Sequence, residues 1–175
     1  MERDCDWKNF LLIWQNLKAK QANDCLRYDH LKADQKTHDE VAVTLQGMFE
    51  AYAKRDLNGV LAFWAPDPDV LMIGSGADEK SVGLNQFTKS LMRDWNQSEK
   101  ASINFKDIAV SAAGAVAWFA TDVTFSGQIN EEKFDLPGRL TGVMEKRDGE
   151  WLLVQMHFSV PSSEQAQGQS WPEPK

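Results

Sequence analysis

"GRLTGVMEKRDGEWLLVQMHFSVP", residues 138–161, decides the fold. Two runs of alternating apolar and polar residues flank Asp148-Gly149, the pattern of two antiparallel strands joined by a tight turn. The register then sets which side chains share a face. A two-residue Asp148-Gly149 turn pairs Arg147 with Glu150 and puts Arg139 opposite Phe158. A loop of Arg147, Asp148 and Gly149, with the glycine left-handed, pairs Lys146 with Glu150 and puts Arg139 opposite His157. The second register sorts the residues cleanly and is the one expected. Leu140, Gly142, Met144, Leu152, Val154, Met156 and Phe158 fall on one face, all apolar. Arg139, Thr141, Val143, Glu145, Trp151, Leu153, Gln155 and His157 fall on the other. Gly149 is expected at φ > 0.

The apolar set belongs under helices, where Gly142 leaves room for the deep wall of a cavity. The mixed set has the composition of a subunit interface: an aromatic, aliphatics and a few pairable polar groups. Arg139, Glu145, Trp151, Leu153 and His157 are its expected contacts. Arg139 and His157 are read as orienting each other there rather than facing a pocket.

Working upstream, strands are predicted at about 102–111, 115–126, 131–146 and 150–160. "SAAGA", "SGQINEE" and "RDGE" form the turns. Before them the period is helical. An amphipathic helix from Asp39 runs through Val41, Leu45, Met48, Phe49 and Tyr52. Asp56 caps a short helix over "LNGVLAFW", which "APDPD" ends. "VLMIG" is a short strand and "SGADEKSVG" a turn-rich loop. "LNQFTKSLMRDWNQ" is a helix with Phe87, Leu91 and Trp95 on one side. Helices followed by a four-strand meander make an α+β domain, with the helices on one face of the sheet.

A further helical stripe lies at the N-terminus: Trp7, Phe10, Leu11, Trp14 and Leu17, resumed at Cys25, Tyr28 and Leu31. The boundary is set near residue 36: residues 1–36 an N-terminal helical extension, 37–162 the α+β domain, 163–175 a flexible tail. A stripe this apolar has to dock on something.

Composition narrows the function. Net charge is −7 and the pI about 5.0. That argues against nucleic acid and against an anionic membrane surface. No apolar run approaches a bilayer span, and no leader is visible. Cys5 and Cys25 on one continuous helix would lie ~30 Å apart, too far for a disulfide. A reduced, cytoplasmic protein is expected. Seven Trp and nine Phe require large flat surfaces to be buried.

From the helical hairpin followed by "FWAPDPDVLMIGSGADEKSVG", from "LMRDWNQSE" and from the opening hairpin, the chain resembles the SnoaL-like branch of the nuclear transport factor 2-like superfamily. It is also similar to the association domain of calcium/calmodulin-dependent protein kinase II. The match covers roughly residues 37–162. The resemblance implies a cone-shaped α+β barrel, its strongly curved, mostly antiparallel sheet wrapped around helices. It implies an apolar cavity and a homodimer formed through the outer sheet face. It implies no single activity, since isomerases, dehydratases, cyclases, binding modules and assembly domains share the scaffold.

Candidate site residues follow. Phe63, Trp64, Trp95 and Trp118, with Gly142, Met144, Met156 and Phe158, are candidate cavity lining for a small apolar or aromatic ligand; simple core packing explains the tryptophans equally well. Asp122 shares a strand face with Trp118, Ala120 and Thr124. In a dry cavity its pKa would rise and it could act as a base; on the outer face it would be paired or solvated, which is the expected case. Tyr52 ends a helix face and is a candidate proton donor, though a core tyrosine explains it equally well; His157 is a third candidate catalytic residue. No spacing suits a metal or a phosphate loop, and no cofactor is expected. The expected function is binding of a small molecule. The alternatives are a cofactor-free isomerase, dehydratase or cyclase in the same cavity, and an assembly module recruiting a partner through the N-terminal helix.

Overall fold

Capping chemistry opens two of the three helices among the described residues. Helix α1 (Gln35–Ala53) begins at Asp34, whose carboxylate accepts from the Thr37 N–H at 2.7 Å. The polar run "ADQKTHDE", residues 33–40, thus holds the cap and first turns of this helix. Helix α2 (Leu57–Ala62) begins at Asp56, which accepts from the Gly59 N–H at 2.9 Å. These bonds satisfy donors that the first helical turn leaves free. Helix α3 (Leu84–Gln97) follows Gly83 at φ 76° and buries Phe87, Leu91 and Trp95. The computed structural model describes residues 31–171. The apolar stripe from Trp7 to Leu17 and the thiols Cys5 and Cys25 lie outside them. Among the described residues, no helix is long and apolar enough to cross a membrane.

Among the described residues six strands form one sheet: β1 (Leu71–Ile73), β2 (Lys80–Val82), β3 (Lys100–Ala113), β4 (Val116–Ile129), β5 (Glu132–Arg147) and β6 (Glu150–Ser159). Their order is β2-β1-β6-β5-β4-β3. The β3–β6 meander is antiparallel, and β1 joins β6 in parallel. The sheet curves over the helices without closing, so β2 and β3 remain as edges. Strand β2 arises within the stretch expected to be only a loop. The core, led by Val41, Leu45, Phe49, Leu140, Met144 and Leu153, fills the space between α1 and the sheet.

The decisive hairpin differs from the expected register. Asp148 and Gly149 both have positive φ, 52° and 92°. This is a two-residue turn, with Arg147 paired to Glu150. The register then shifts between Val143 and Met144: Met144 pairs with Leu153 but Val143 with Gln155, leaving Val154 as an extra residue. That bulge moves the strand on by one, so Arg139 faces Ser159 and His157 faces Thr141. The face assignment changes with it. Between the turn and the bulge, Trp151 and Leu153 point into the core, at 5% and 0% exposure. Beyond it, Met156 and Phe158 do. Leu152 and Val154, expected in the core, are only half-buried. Trp151 and Leu153 are thus core residues of their own chain, not outer-face contacts. The Trp151 indole N–H donates to Glu40 of α1 at 2.9 Å, and Lys146 lies 5.3 Å from the ring centre and 2.6 Å from the same carboxylate.

Candidate functional site

The α3 sequence places two kinds of side chain on one face. Phe87, Ser90, Leu91, Asp94 and Trp95 recur at three and four, so the polar pair falls within the buried stripe. Facing it across a hollow of about 250 Å³ are Met48, Phe49 and Tyr52 of α1. Met156 and Phe158 of β6 and Ile103 of β3 supply sheet walls. The far wall is the end of the β4–β5 ribbon, where Phe125, Ile129, Phe134 and Leu136 line the opening. Three of these, Ile129, Phe134 and Leu136, remain about two-fifths exposed. Gly127 makes that wall possible: a Cβ there would sit 2.4 Å from the Phe134 ring.

Polar groups cluster on one side. Ser81 of β2 and Ser90 share a hydroxyl hydrogen bond at 2.9 Å. Arg93 donates to Asp78 at 2.9 Å and to Glu79 at 3.0 Å, tying the Gly74–Glu79 loop to α3. The Asp94 carboxylate accepts no hydrogen bond from any described residue. Burial, then the negative charge of Glu79, push its pKa up to about 6; Arg93 opposes them. Tyr52 is buried, and its hydroxyl likewise has no partner among the described residues. Burial first, then the charge of Asp94, raise its pKa above the ordinary phenol range. Trp95 fixes Tyr52 from behind, with ring centres 5.8 Å apart and its indole N–H donating to the Tyr52 carbonyl at 3.1 Å. A carboxylate whose charge is felt by a phenol within apolar walls can hold or move one proton, or grip one polar group of a ligand. Among the described residues, no group of three His, Cys, Asp or Glu could hold a metal ion.

The family model of the SnoaL-like domain matches residues 41–163. The chain belongs to the SnoaL-like family. Solved structures agree at the level of fold. A nuclear transport factor 2-like superfamily protein from Salmonella enterica superposes with a TM-score of 0.70 at 17% identity, over 79% of this chain and 100% of that one. A proposed dehydratase of the same superfamily from Streptomyces avermitilis gives 0.67 at 16%, over 75% and 100%. A proposed calcium/calmodulin-dependent protein kinase II association domain from Xanthomonas campestris gives 0.61 at 26%, over 75% and 95%. No curated protein matches.

In this SnoaL-like domain the expected site residues separate. Tyr52, Met156 and Phe158 line the hollow. Trp64 and Trp95 instead pack behind it, the former 4.7 Å from Phe87. Phe63 packs on Gly47 of α1, and Met144 is fully buried core. The room left by Gly142 is filled by the Phe119 ring: a Cβ would lie 2.6 Å from it. Trp118, 37% exposed, and Asp122 stand on the outer sheet face, where Asp122 is flanked by Lys106 and Arg139 on the neighbouring strands. His157 is exposed on that face as well. Glu145 is engaged within the chain, by Arg147 at 2.7 Å. Sequence reading missed Asp94, Ser90 and the ribbon wall. The signal for the first two was their place in the Phe87–Leu91–Trp95 stripe.

Proposed function

We propose that this chain binds a small, largely apolar molecule in the hollow between α1, α3 and the sheet. One observation carries the reading: the walls are aromatic and aliphatic, while the polar groups converge on one side around Asp94. Ligand sites combine these features. The test is fluorescence titration with an environment-sensitive naphthalene dye. Binding to the wild type and loss in Leu91→Trp, which fills the hollow, is expected; equal binding to both would refute it.

A second reading is favoured by the raised pKa of Asp94. A base poised near neutrality beside a phenol can take a proton from carbon next to a carbonyl, while Tyr52 donates a hydrogen bond to the enolate oxygen. This would be isomerase- or dehydratase-type chemistry without a cofactor; the Streptomyces avermitilis neighbour is itself described as a proposed dehydratase. Solvent deuterium exchange into a cyclic ketone, dependent on Asp94, would support it; exchange unchanged in Asp94→Asn would end it.

The setting that fits is a reduced cytoplasm and a homodimer formed through the outer sheet face. Support for the dimer is the exposed Trp118 beside the alternating row Lys106, Asp122, Arg139, which a two-fold partner can complement. Sedimentation of Trp118→Glu tests it: a shift toward monomer is expected.

A further inference from the structure

Among the described residues, three charged side chains line the hollow: Glu79, Arg93 and Asp94. They are not equivalent. Arg93 spends its guanidinium on Asp78 and Glu79. Among the described residues Asp94 has no hydrogen-bond or ion-pair partner, and no described lysine or histidine lines the hollow to supply one. The lining therefore carries two carboxylates against one guanidinium already in use. An anionic ligand would meet Asp94 with no free cation to receive it. A neutral one would leave the carboxylate desolvated and unpaired, which is costly. A cation removes that cost. The other walls suit it too: Phe49, Tyr52, Phe87, Phe125, Phe134 and Phe158 all line the hollow, and aromatic faces attract cations. The chain's net charge of −7 adds long-range attraction of the same sign.

Building on the reading of the hollow as a binding site, we infer that its ligand is a hydrophobic amine bound as the ammonium ion, with the charge at Asp94 and the apolar body against the β4–β5 ribbon. The ribbon explains the second half of the assignment. Ile129, Phe134 and Leu136 leave apolar surface at the opening, so the body of the ligand can extend outward along them while its charged end sits inside. The partial ionisation of Asp94 near pH 6 is consistent with a carboxylate awaiting a counter-charge, and the bound ammonium would pull that pKa down.

The experiment is calorimetric titration of the full chain at pH 7.5 with three probes of one shape: 1-naphthylmethylammonium, 1-naphthalenemethanol and 1-naphthoate. The ammonium should bind at least ~10-fold tighter than the alcohol, and the naphthoate weakest. In Asp94→Asn that preference should fall to within ~3-fold. An unchanged far-UV circular dichroism spectrum and a cooperative unfolding transition show that the variant is folded. If the alcohol or the naphthoate binds tightest to the wild type, the hollow is a site but not one for cations. If the ammonium preference survives Asp94→Asn, Asp94 does not hold the charge and the assignment falls. If none of the three binds the wild type, the binding reading itself fails and takes this inference with it.

Discussion

Trp151 donates its indole N–H to Glu40 at 2.9 Å, fastening the hairpin to helix α1 from inside the domain. The indole is 5% exposed. Trp151→Ala should therefore cost about 3–5 kcal/mol of stability, the range for truncating a buried tryptophan. Urea unfolding measures this. The oligomeric state, read by sedimentation at a temperature where the variant is folded, should not change. A stable variant that becomes monomeric would return Trp151 to a subunit interface.

Asp94 predicts a pH dependence with a definite sign. Its carboxyl is raised from 3.8 to about 6 in the folded chain. Between those values the folded state holds more protons than the unfolded one, so stability falls as pH rises and the penalty is complete above about 7. Because the group is partly exposed, the expected size is only ~1 kcal/mol after allowing for solvent. Asp94→Asn removes the penalty. Its stability advantage over the wild type should grow from pH 4 to pH 7 and then level off. An advantage independent of pH would show that the carboxyl is not perturbed.

Gly142 tests how tightly the sheet packs. A Cβ at this position would lie 2.6 Å from Phe119 and 2.9 Å from the Gln155 carbonyl oxygen. The ring can swing but the backbone cannot, so Gly142→Ala should cost about 1–3 kcal/mol. An unchanged denaturation midpoint would mean that strand β6 yields more easily than its pairing suggests.

At Asp56, a single carboxylate starts α2. Asp56→Ala should lose about 1 kcal/mol, and Asp56→Ser should recover most of it, because serine also caps. If serine fails to rescue, the role of Asp56 is not capping.

The helix α3 stripe and the four long strands were readable because each repeats its period over many residues. The hairpin register was not. Val154 is an apolar residue among apolar residues, and nothing local marks it as the one that bulges. Only packing of Trp151 against α1 and of Phe158 against Phe125, 4.5 Å between ring centres, requires both to face inward. Strict alternation cannot satisfy both, since 151 and 158 differ by an odd number. The same limit applied to the site. Tyr52 was found because it ends an obvious stripe, whereas Asp94 looked like one more charge in "MRDWNQ". Its significance depends on Glu79 and Tyr52, brought to it by the fold from elsewhere in the chain. Trp118 misled for the opposite reason: an aromatic in a strand suggests burial, but this one stands on the outer face.

The parallel pairing of β1 with β6 has a consequence for the order of assembly. Leu71 pairs with Gln155, so the β1–β2 pair can join the rest of the sheet only after β6, the last strand of the meander, has been synthesised. The meander needs only neighbouring hairpins, which close over short loops, while β1 must close a very long one. We expect β1, β2 and the start of α3 to consolidate late. Substitutions at Met72 and Ser81 should then alter the unfolding rate and leave the folding rate nearly unchanged, while those at Phe119 and Leu140 should slow folding. The hollow's polar side would thus be the last part of the protein to set, and a bound molecule would act mainly as a brake on its coming apart.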